Sequence, residues 1–188
     1  NHRQRGVILD VGCGGGALRR LVQPMFDRYI GTDLVRYESF PAECEFHAAN
    51  LDAGLPLPEC FADAVVAAEI IEHLENPRAL MRELVRVAKP GGTVIVTTPN
   101  QLSFLSLLTL ITKHRFAMFQ DVHYPAHLTA LLEIDLLRMA SEVGLVDVSL
   151  RYSREGRIPK TPWHYPAALS RMAPRALSDN LMLIGRKP

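Results

Sequence analysis

The sequence is poor in the residues that usually staple, span or polarise a protein. Three cysteines in 188 residues (Cys13, Cys44 and Cys60) form no C-x-x-C pair. That excludes a disulfide framework and a thiolate metal centre, and free thiols in a reducing, cytoplasmic setting are expected. Long hydrophobic runs are missing too. The longest, Leu102 to Thr112, is about half the length of a membrane span, so no transmembrane segment is expected, and no signal-peptide pattern is present. Net charge is only +1, from 21 Lys and Arg against 20 Asp and Glu, so no DNA partner is expected. What the chain has is apolar residues, 48% against 22% charged, which excludes a disordered tail, a collagen repeat or a coiled coil. At about 150 residues per domain, residues 1–188 should form one domain with a core that needs no staples. The chain opens on Asn1 a few residues before its first strand, so an earlier segment of a longer protein is expected to be missing.

The near-zero charge conceals an asymmetry. Residues 1–150 carry 13 Lys and Arg against 18 Asp and Glu, a net of −5, whereas residues 151–188 carry 8 against 2, a net of +6. The basic run includes Arg151, Arg154, Arg157, Lys160, Arg171 and Arg175. Two explanations stand beside each other: a solvated face, or recognition of an anionic acceptor or an acidic membrane surface.

Strand and helix patterns alternate. Val7–Val11, Tyr29–Asp33, Glu45–Ala49, Asp63–Ala68, Thr93–Thr98, Leu145–Leu150 and Asn180–Gly185 read as seven strands. Between the first two, a helix should carry Leu18, Leu21 and Val22. Asn76-Pro77 is a good helix start, and Lys89-Pro90-Gly91-Gly92 a good stop. The regularity breaks over 101–127 and 153–179. Strands alternating with helices predict an α/β fold, a Rossmann-like, seven-stranded, mostly parallel sheet with helices on both faces.

Gly12-Cys13-Gly14-Gly15-Gly16 joins a strand to a helix, where ligands meet helix-terminal amides. With Ala17 it also fits a dinucleotide fingerprint, and Asp33, about 20 residues on, suits a ribose diol in either reading. Asp10 separates the two. A carboxylate there would repel a pyrophosphate, but it suits a ligand with an ammonium group, which S-adenosylmethionine has. At these residues the sequence resembles the class I S-adenosylmethionine-dependent methyltransferases. Val7–Gly16 is similar to the family's first motif and Gly31-Thr32-Asp33 to its second. Asn50–Pro58 resembles its adenine-side loop, Glu69–Leu74 the segment after strand 4, and Lys89–Gly92 and Thr98–Asn100 the flanks of strand 5. The resemblance implies an antiparallel last strand, with insertions after strand 5 and between strands 6 and 7. It also implies a cofactor site of Asp10, Gly12, Cys13, Gly14, Gly16, Asp33, Leu34, Asn50, Leu51, Asp52 and Glu69, with S-adenosylhomocysteine as product. An acid is frequent in the family where Asn50 stands; its carbonyl can still accept from an adenine amino group.

Methyl transfer needs alignment of nucleophile, methyl and sulfur more than it needs a strong base. Glu69, Glu72 and His73 stand at i, i+3 and i+4, which would place two carboxylates and an imidazole on one helical face. His123 and His127 follow strand 5. The E-x-x-E-H run resembles that of ubiquinone-type O-methyltransferases and of small-RNA 2′-O-methyltransferases. The latter implies a divalent metal on Glu69, Glu72, His73 and His127. The favoured reading is metal-free, with His73 and His127 as the catalytic candidates. Leu128, Thr129 and Ala130 depart from the RNA branch, whose histidine is followed by aromatic residues.

The segments 101–127 and 153–179 should build the substrate cover. Leu102–Ile111 is too apolar for a plain surface helix and admits a packed cover, a membrane-docking helix or a dimer contact; Trp163-His164-Tyr165 admits an acceptor wall or simple packing. The expected function is methyl transfer to a small or lipid-like acceptor at oxygen. The alternatives are a metal-assisted RNA 2′-O-methyltransferase, a cofactor-binding module without turnover, and an NAD(P)-dependent oxidoreductase. Oligomeric state is not readable, and peripheral membrane contact is compatible with the cytoplasmic expectation.

Overall fold

A computed structural model describes residues 6–153 and 155–188. Arg154, one of the basic run, lies outside the described residues. The chain folds around one seven-stranded sheet in the order β3-β2-β1-β4-β5-β7-β6. The strands are β1 (Val7–Val11), β2 (Arg28–Asp33), β3 (Glu45–Ala48), β4 (Ala62–Ala68), β5 (Ala88–Pro99), β6 (Val146–Tyr152) and β7 (Asn180–Arg186). β1 through β5 pair in parallel, and β7 runs antiparallel to both β5 and β6. The expected sheet, with its single reversed strand, is the observed one.

Alternation along β1 divides the core. Leu9 and Val11 join the larger cluster, with Leu80 and Leu84 of α2 (Pro77–Val87) and Leu136 and Met139 of α4 (Glu133–Glu142). Ile8 faces the other way, into a smaller cluster with Tyr29, Phe40 and Cys13. Each fully buried leucine contributes about 1.5–3 kcal/mol. The expected start of α2 is observed: the Asn76 side chain accepts from the Ala79 amide at 3.0 Å, and Pro77 supplies the first helical position.

Two boundaries differ from expectation. β5 starts at Ala88, not Thr93. The Gly91 amide donates to the Lys187 carbonyl and the Lys187 amide to the Gly92 carbonyl, so the Pro-Gly-Gly stretch is held in the sheet as a bulge. The first helix, α1 (Arg19–Val22), is a single turn, because Pro24 blocks its continuation; Leu21 points to solvent.

Because β7 is reversed, the segments after β5 and between β6 and β7 both leave from the carboxyl ends of the parallel strands. The first contains α3 (Phe104–Lys113) and the second α5 (Ala167–Met172). They sit at the end of the sheet that also carries the glycine loop. β1 lies between β2 and β4, so the chain diverges there, the place where open α/β sheets bind ligands.

Candidate functional site

The glycine loop is shaped by its own backbone. The Gly12 and Cys13 amides donate to the Thr32 carbonyl at 2.8 and 3.1 Å, fastening the loop to the end of β2. Gly12 and Gly14 have φ of +72° and +48°, where side chains are disfavoured. A Cβ on Gly12 would overlap Ile70, whereas the space in front of Gly14 is open. Asp33 closes the loop: one carboxylate oxygen accepts the Gly14 amide at 2.8 Å, the other the Leu34 amide at 2.7 Å. Each oxygen keeps lone-pair capacity for a ligand diol. An open cradle at Gly14 beside a fixed carboxylate fits the ribose-bearing ligand implied by the sequence. Gly16 turns the chain away from the cradle, against Phe40 and Pro41.

Other candidate residues have additional or different work. Asp10 is buried and accepts from the Tyr29 hydroxyl. Burial, only partly offset by that hydrogen bond, pushes its carboxyl up to about 6, with a smaller contribution from Asp33. Cys13 turns its thiol into the smaller core cluster, where burial pushes it up to about 12, so it gives the loop only backbone. Asn50 accepts from the Asp52 amide at 3.1 Å, and Leu51 is buried in the main core. Asp52 accepts the Glu75 and Asn76 amides, tying the loop after β3 to the start of α2. Leu34 is largely exposed beyond Asp33.

The E-x-x-E-H run does not form one helical face. Glu69, the residue after β4, has φ of +52°, and only Ile71–His73 makes a single 3-10 turn. The left-handed residue breaks the helical spacing, and each acid takes a different threonine of β5. The Thr97 hydroxyl donates to Glu69 at 2.6 Å, and the Thr98 hydroxyl to Glu72 at 3.1 Å. These threonines were not legible as site residues; the signal was their place at the end of β5 opposite the acids. Burial raises both carboxyls to about 7, against the threonine hydrogen bonds.

Glu72, His73 and His127 do come together, with one potential ligand atom from each within 4.8 Å of the others. His73 Nδ1 lies 2.7 Å from the Ala126 carbonyl and donates its proton there, leaving Nε2 as the basic nitrogen. The Glu72 carbonyl accepts the Leu128 and Thr129 amides, which holds the segment of His127 in place. His127 Nδ1 is buried without a hydrogen-bond partner among the described residues, and burial, then His73, lower its pKa. His123 stacks on His127 at 5.4 Å between ring centroids. Glu69 is not part of this cluster.

Glu69 instead borders a cavity of about 290 Å³ at the carboxyl edge of the sheet. Its walls include Gln101, Leu105, Met118, Glu155, Arg157 and His164. The cavity draws on both insertions, as expected of a cover, but His73 and His127 do not line it. Arg157, the one lining Lys or Arg among the described residues, is paired with Asp179 at 2.9 Å. Trp163, next to His164, is largely exposed and is neither packing nor wall. Ile70, packed on Gly12, and Glu69, on the cavity, are adjacent residues, so the loop and the cavity meet at one point of the chain.

Residues 9–96 match the family model described as "Methyltransferase domain". A Mycobacterium tuberculosis protein named "Probable S-adenosylmethionine-dependent methyltransferase" is 34% identical over 149 residues, covering 76% of this chain and 50% of that protein. The mitochondrial ubiquinone biosynthesis O-methyltransferase of Rattus norvegicus is 29% identical over 160 residues, covering 74% of this chain and 46% of the relative. The chain thus spans about half the length of these curated relatives. Among solved structures, a SAM-dependent methyltransferase from Archaeoglobus fulgidus superimposes with a TM-score of 0.71 at 18% identity, covering 98% of this chain and 87% of that one, a likeness of fold. With the loop, the strand order and the acids after β4 in the sequence-expected places, the chain carries a methyltransferase domain over residues 9–96 and shares the fold of S-adenosylmethionine-dependent methyltransferases.

Proposed function

We propose that this domain transfers a methyl group from S-adenosylmethionine to an oxygen of a small or lipid-like acceptor. The observation that carries the reading is the junction of loop and cavity: Ile70 packs on Gly12, while the neighbouring Glu69 opens onto the polar cavity. The name of the rat relative, a ubiquinone biosynthesis O-methyltransferase, supports oxygen as the accepting atom.

In this reading Gly12, Gly14 and Gly16 shape the cofactor cradle, with Cys13 contributing backbone, and Asp33 holds the ribose hydroxyls. Asn50 and Leu51 serve the adenine edge, flanked by Leu34, and Asp52 keeps their loop on α2. Asp10 favours the ammonium end. The cofactor supplies an activated methyl on a positively charged sulfur. Glu69, with a carboxyl near 7, accepts the proton of the acceptor hydroxyl from within the cavity. Among the described residues Arg157 is the cavity's one lysine or arginine, and it is already neutralised by Asp179, while Glu155 adds negative charge. These walls favour an uncharged acceptor over an anionic one.

The test is incubation with isotopically labelled S-adenosylmethionine and metabolite or lipid extracts. Label should move to an acceptor, at oxygen. S-adenosylhomocysteine bound with no label moved would make the chain a cofactor-binding module. NADH bound with S-adenosylhomocysteine ignored would make it an oxidoreductase.

One observation favours a second reading of the acceptor side. The unpartnered, buried His127 Nδ1 beside Glu72 and His73 is a donor set that suits a divalent ion such as zinc. These three residues would hold the ion, which would lower the pKa of a nearby hydroxyl. On this reading zinc raises Tm in the wild type but not in His127→Ala, and EDTA slows turnover. Unchanged turnover in EDTA with no zinc effect on Tm removes the metal and leaves Glu69 as the proton acceptor.

A further inference from the structure

We infer that the face built by the two insertions docks on an anionic lipid bilayer. Among the described residues six large apolar side chains are at least 70% exposed, and five of them lie in these insertions: Ile111, Val122, Tyr124, Trp163 and Met172. Isolated exposed apolar residues are ordinary, but a concentration on two packed segments is not. The segments are in contact. The Phe104 amide donates to the Ala176 carbonyl at 2.7 Å, and the Arg157 guanidinium reaches Met118 Sδ at 3.4 Å. Both leave the same end of the sheet, and they meet at these contacts.

Charge selects the occupant. Arg115, Arg157 and Arg175 are paired with Asp121, Asp179 and Glu133. Among the described residues Lys113, Lys160 and Arg171 make no ion pair, and Lys113 has only a neutral partner, Gln120. Three uncompensated cations among apolar and aromatic side chains match an acidic bilayer surface, where aromatic rings settle at the headgroups and lysines reach the phosphates. The basic character of the C-terminal fifth is thereby divided. Arg157, spent on Asp179, belongs to the cavity, while Lys160 and Arg171 belong to the surface. A second copy of this chain would bring the same cations against each other. The inference does not depend on what the Glu69 cavity methylates.

Trp163 is the only tryptophan in the chain, so its fluorescence reports on this face alone. The protein is titrated with vesicles of phosphatidylcholine, and with vesicles in which half of it is replaced by phosphatidylglycerol. The emission should shift to the blue with the anionic vesicles, and brominated lipid should quench it. Raising salt should weaken the association. Lys160→Gln should lower the partition coefficient about fivefold, from about 1 kcal/mol per basic residue near the surface. Ile111→Asp should lower it more, with circular dichroism confirming that the variant is folded. Vesicle co-sedimentation gives a second measure that needs no tryptophan. No shift and no sedimentation with anionic vesicles overturns the inference. A shift that follows protein concentration in the absence of lipid assigns the face to self-association and also overturns it. Shielding by S-adenosylhomocysteine alone, unchanged by vesicles, makes Trp163 part of a closing cover and has the same consequence.

Discussion

The two sides of the candidate cleft are built by different means. On the loop side, backbone does the shaping: amides of Gly12, Cys13 and Gly14 are fixed by Thr32 and Asp33, directly at the ends of paired strands. On the cavity side, the walls are side chains on two insertions. Contacts such as Arg157 to Asp179 and Ser106 to Gln101 brace each from within, and Arg157 on Met118 joins one to the other. A backbone-built site tolerates few residue types and so announces itself in the sequence. A side-chain-built site can be made in many ways and can change its ligand by substitution. The binding of a common ligand belongs to the first side, and the choice of acceptor to the second.

The largest effect expected on the loop side comes from Gly12→Val. The new side chain meets Ile70 and must hold a left-handed φ. Overlap and strain cost about 1–3 kcal/mol each, enough to weaken S-adenosylhomocysteine binding about 100-fold or more, measured by calorimetry. Retained affinity would mean that the ligand does not use this loop. Gly14→Ala separates conformation from space: its Cβ meets nothing, so only the left-handed backbone resists, and the loss should be smaller.

Glu69→Gln probes the opposite side at the point where the two meet. It keeps the shape and a Thr97 hydrogen bond but cannot take a proton. With a carboxyl near 7, wild-type turnover should rise with pH to a plateau above about 7, where the carboxylate predominates. The variant should lose about 100-fold in kcat, together with that rising limb. Its affinity for S-adenosylhomocysteine should stay within a few-fold. An unchanged pH profile would move the proton acceptor to His73 Nε2, the basic nitrogen of the neighbouring cluster.

The same comparison explains how much was legible. Seven strands and the loop with Asp33 follow from apolar runs, glycines and their spacing, because buried strands and positive φ admit few residues. The reversed β7 was implied by the family resemblance alone. The cleft beyond β4 is less readable. A period of three or four residues suggested a helical face for Glu69, Glu72 and His73, but one residue at φ of +52° undid it. Nothing local announces that Glu69 will leave the helix, since the constraint is tertiary, from Thr97 and Thr98 on the next strand. The pairing of Arg157 with Asp179, 22 residues apart, was also beyond a local reading, and so the basic segment could not be divided between cavity and surface.

Stability should titrate through the acids behind the cavity. Glu72 is buried and its carboxyl stands near 7, above its ordinary 4.5. The folded state therefore holds the proton more tightly than the unfolded one between those values. Stability from this group is present below about 4.5 and is lost as pH rises through about 7, a loss of up to about 3 kcal/mol. Glu72→Gln keeps an acceptor for Thr98 and removes the titration. The variant should match the wild type near pH 4 and exceed it at pH 8, by urea midpoint. Equal midpoints at both pH values would mean that a bound cation compensates the carboxylate.

The smallest effects come from two helix caps, and they test whether the two sides unfold together. Asn76 accepts from the Ala79 amide at the start of α2, and Ser103 from the Ser106 amide at the start of α3. Either change to alanine removes about 1 kcal/mol of capping. α2 buries four apolar side chains in the main core, so Asn76→Ala should lower the global midpoint of unfolding by the full amount. α3 buries only Ser106 fully and leaves Ile111 in solvent. Ser103→Ala should therefore leave the global midpoint almost unchanged and speed hydrogen exchange in α3 alone, because an exposed helix opens locally before the sheet does. Equal losses in the global transition would show that the cover is cooperative with the core, and that the cavity is as rigid as the loop it faces.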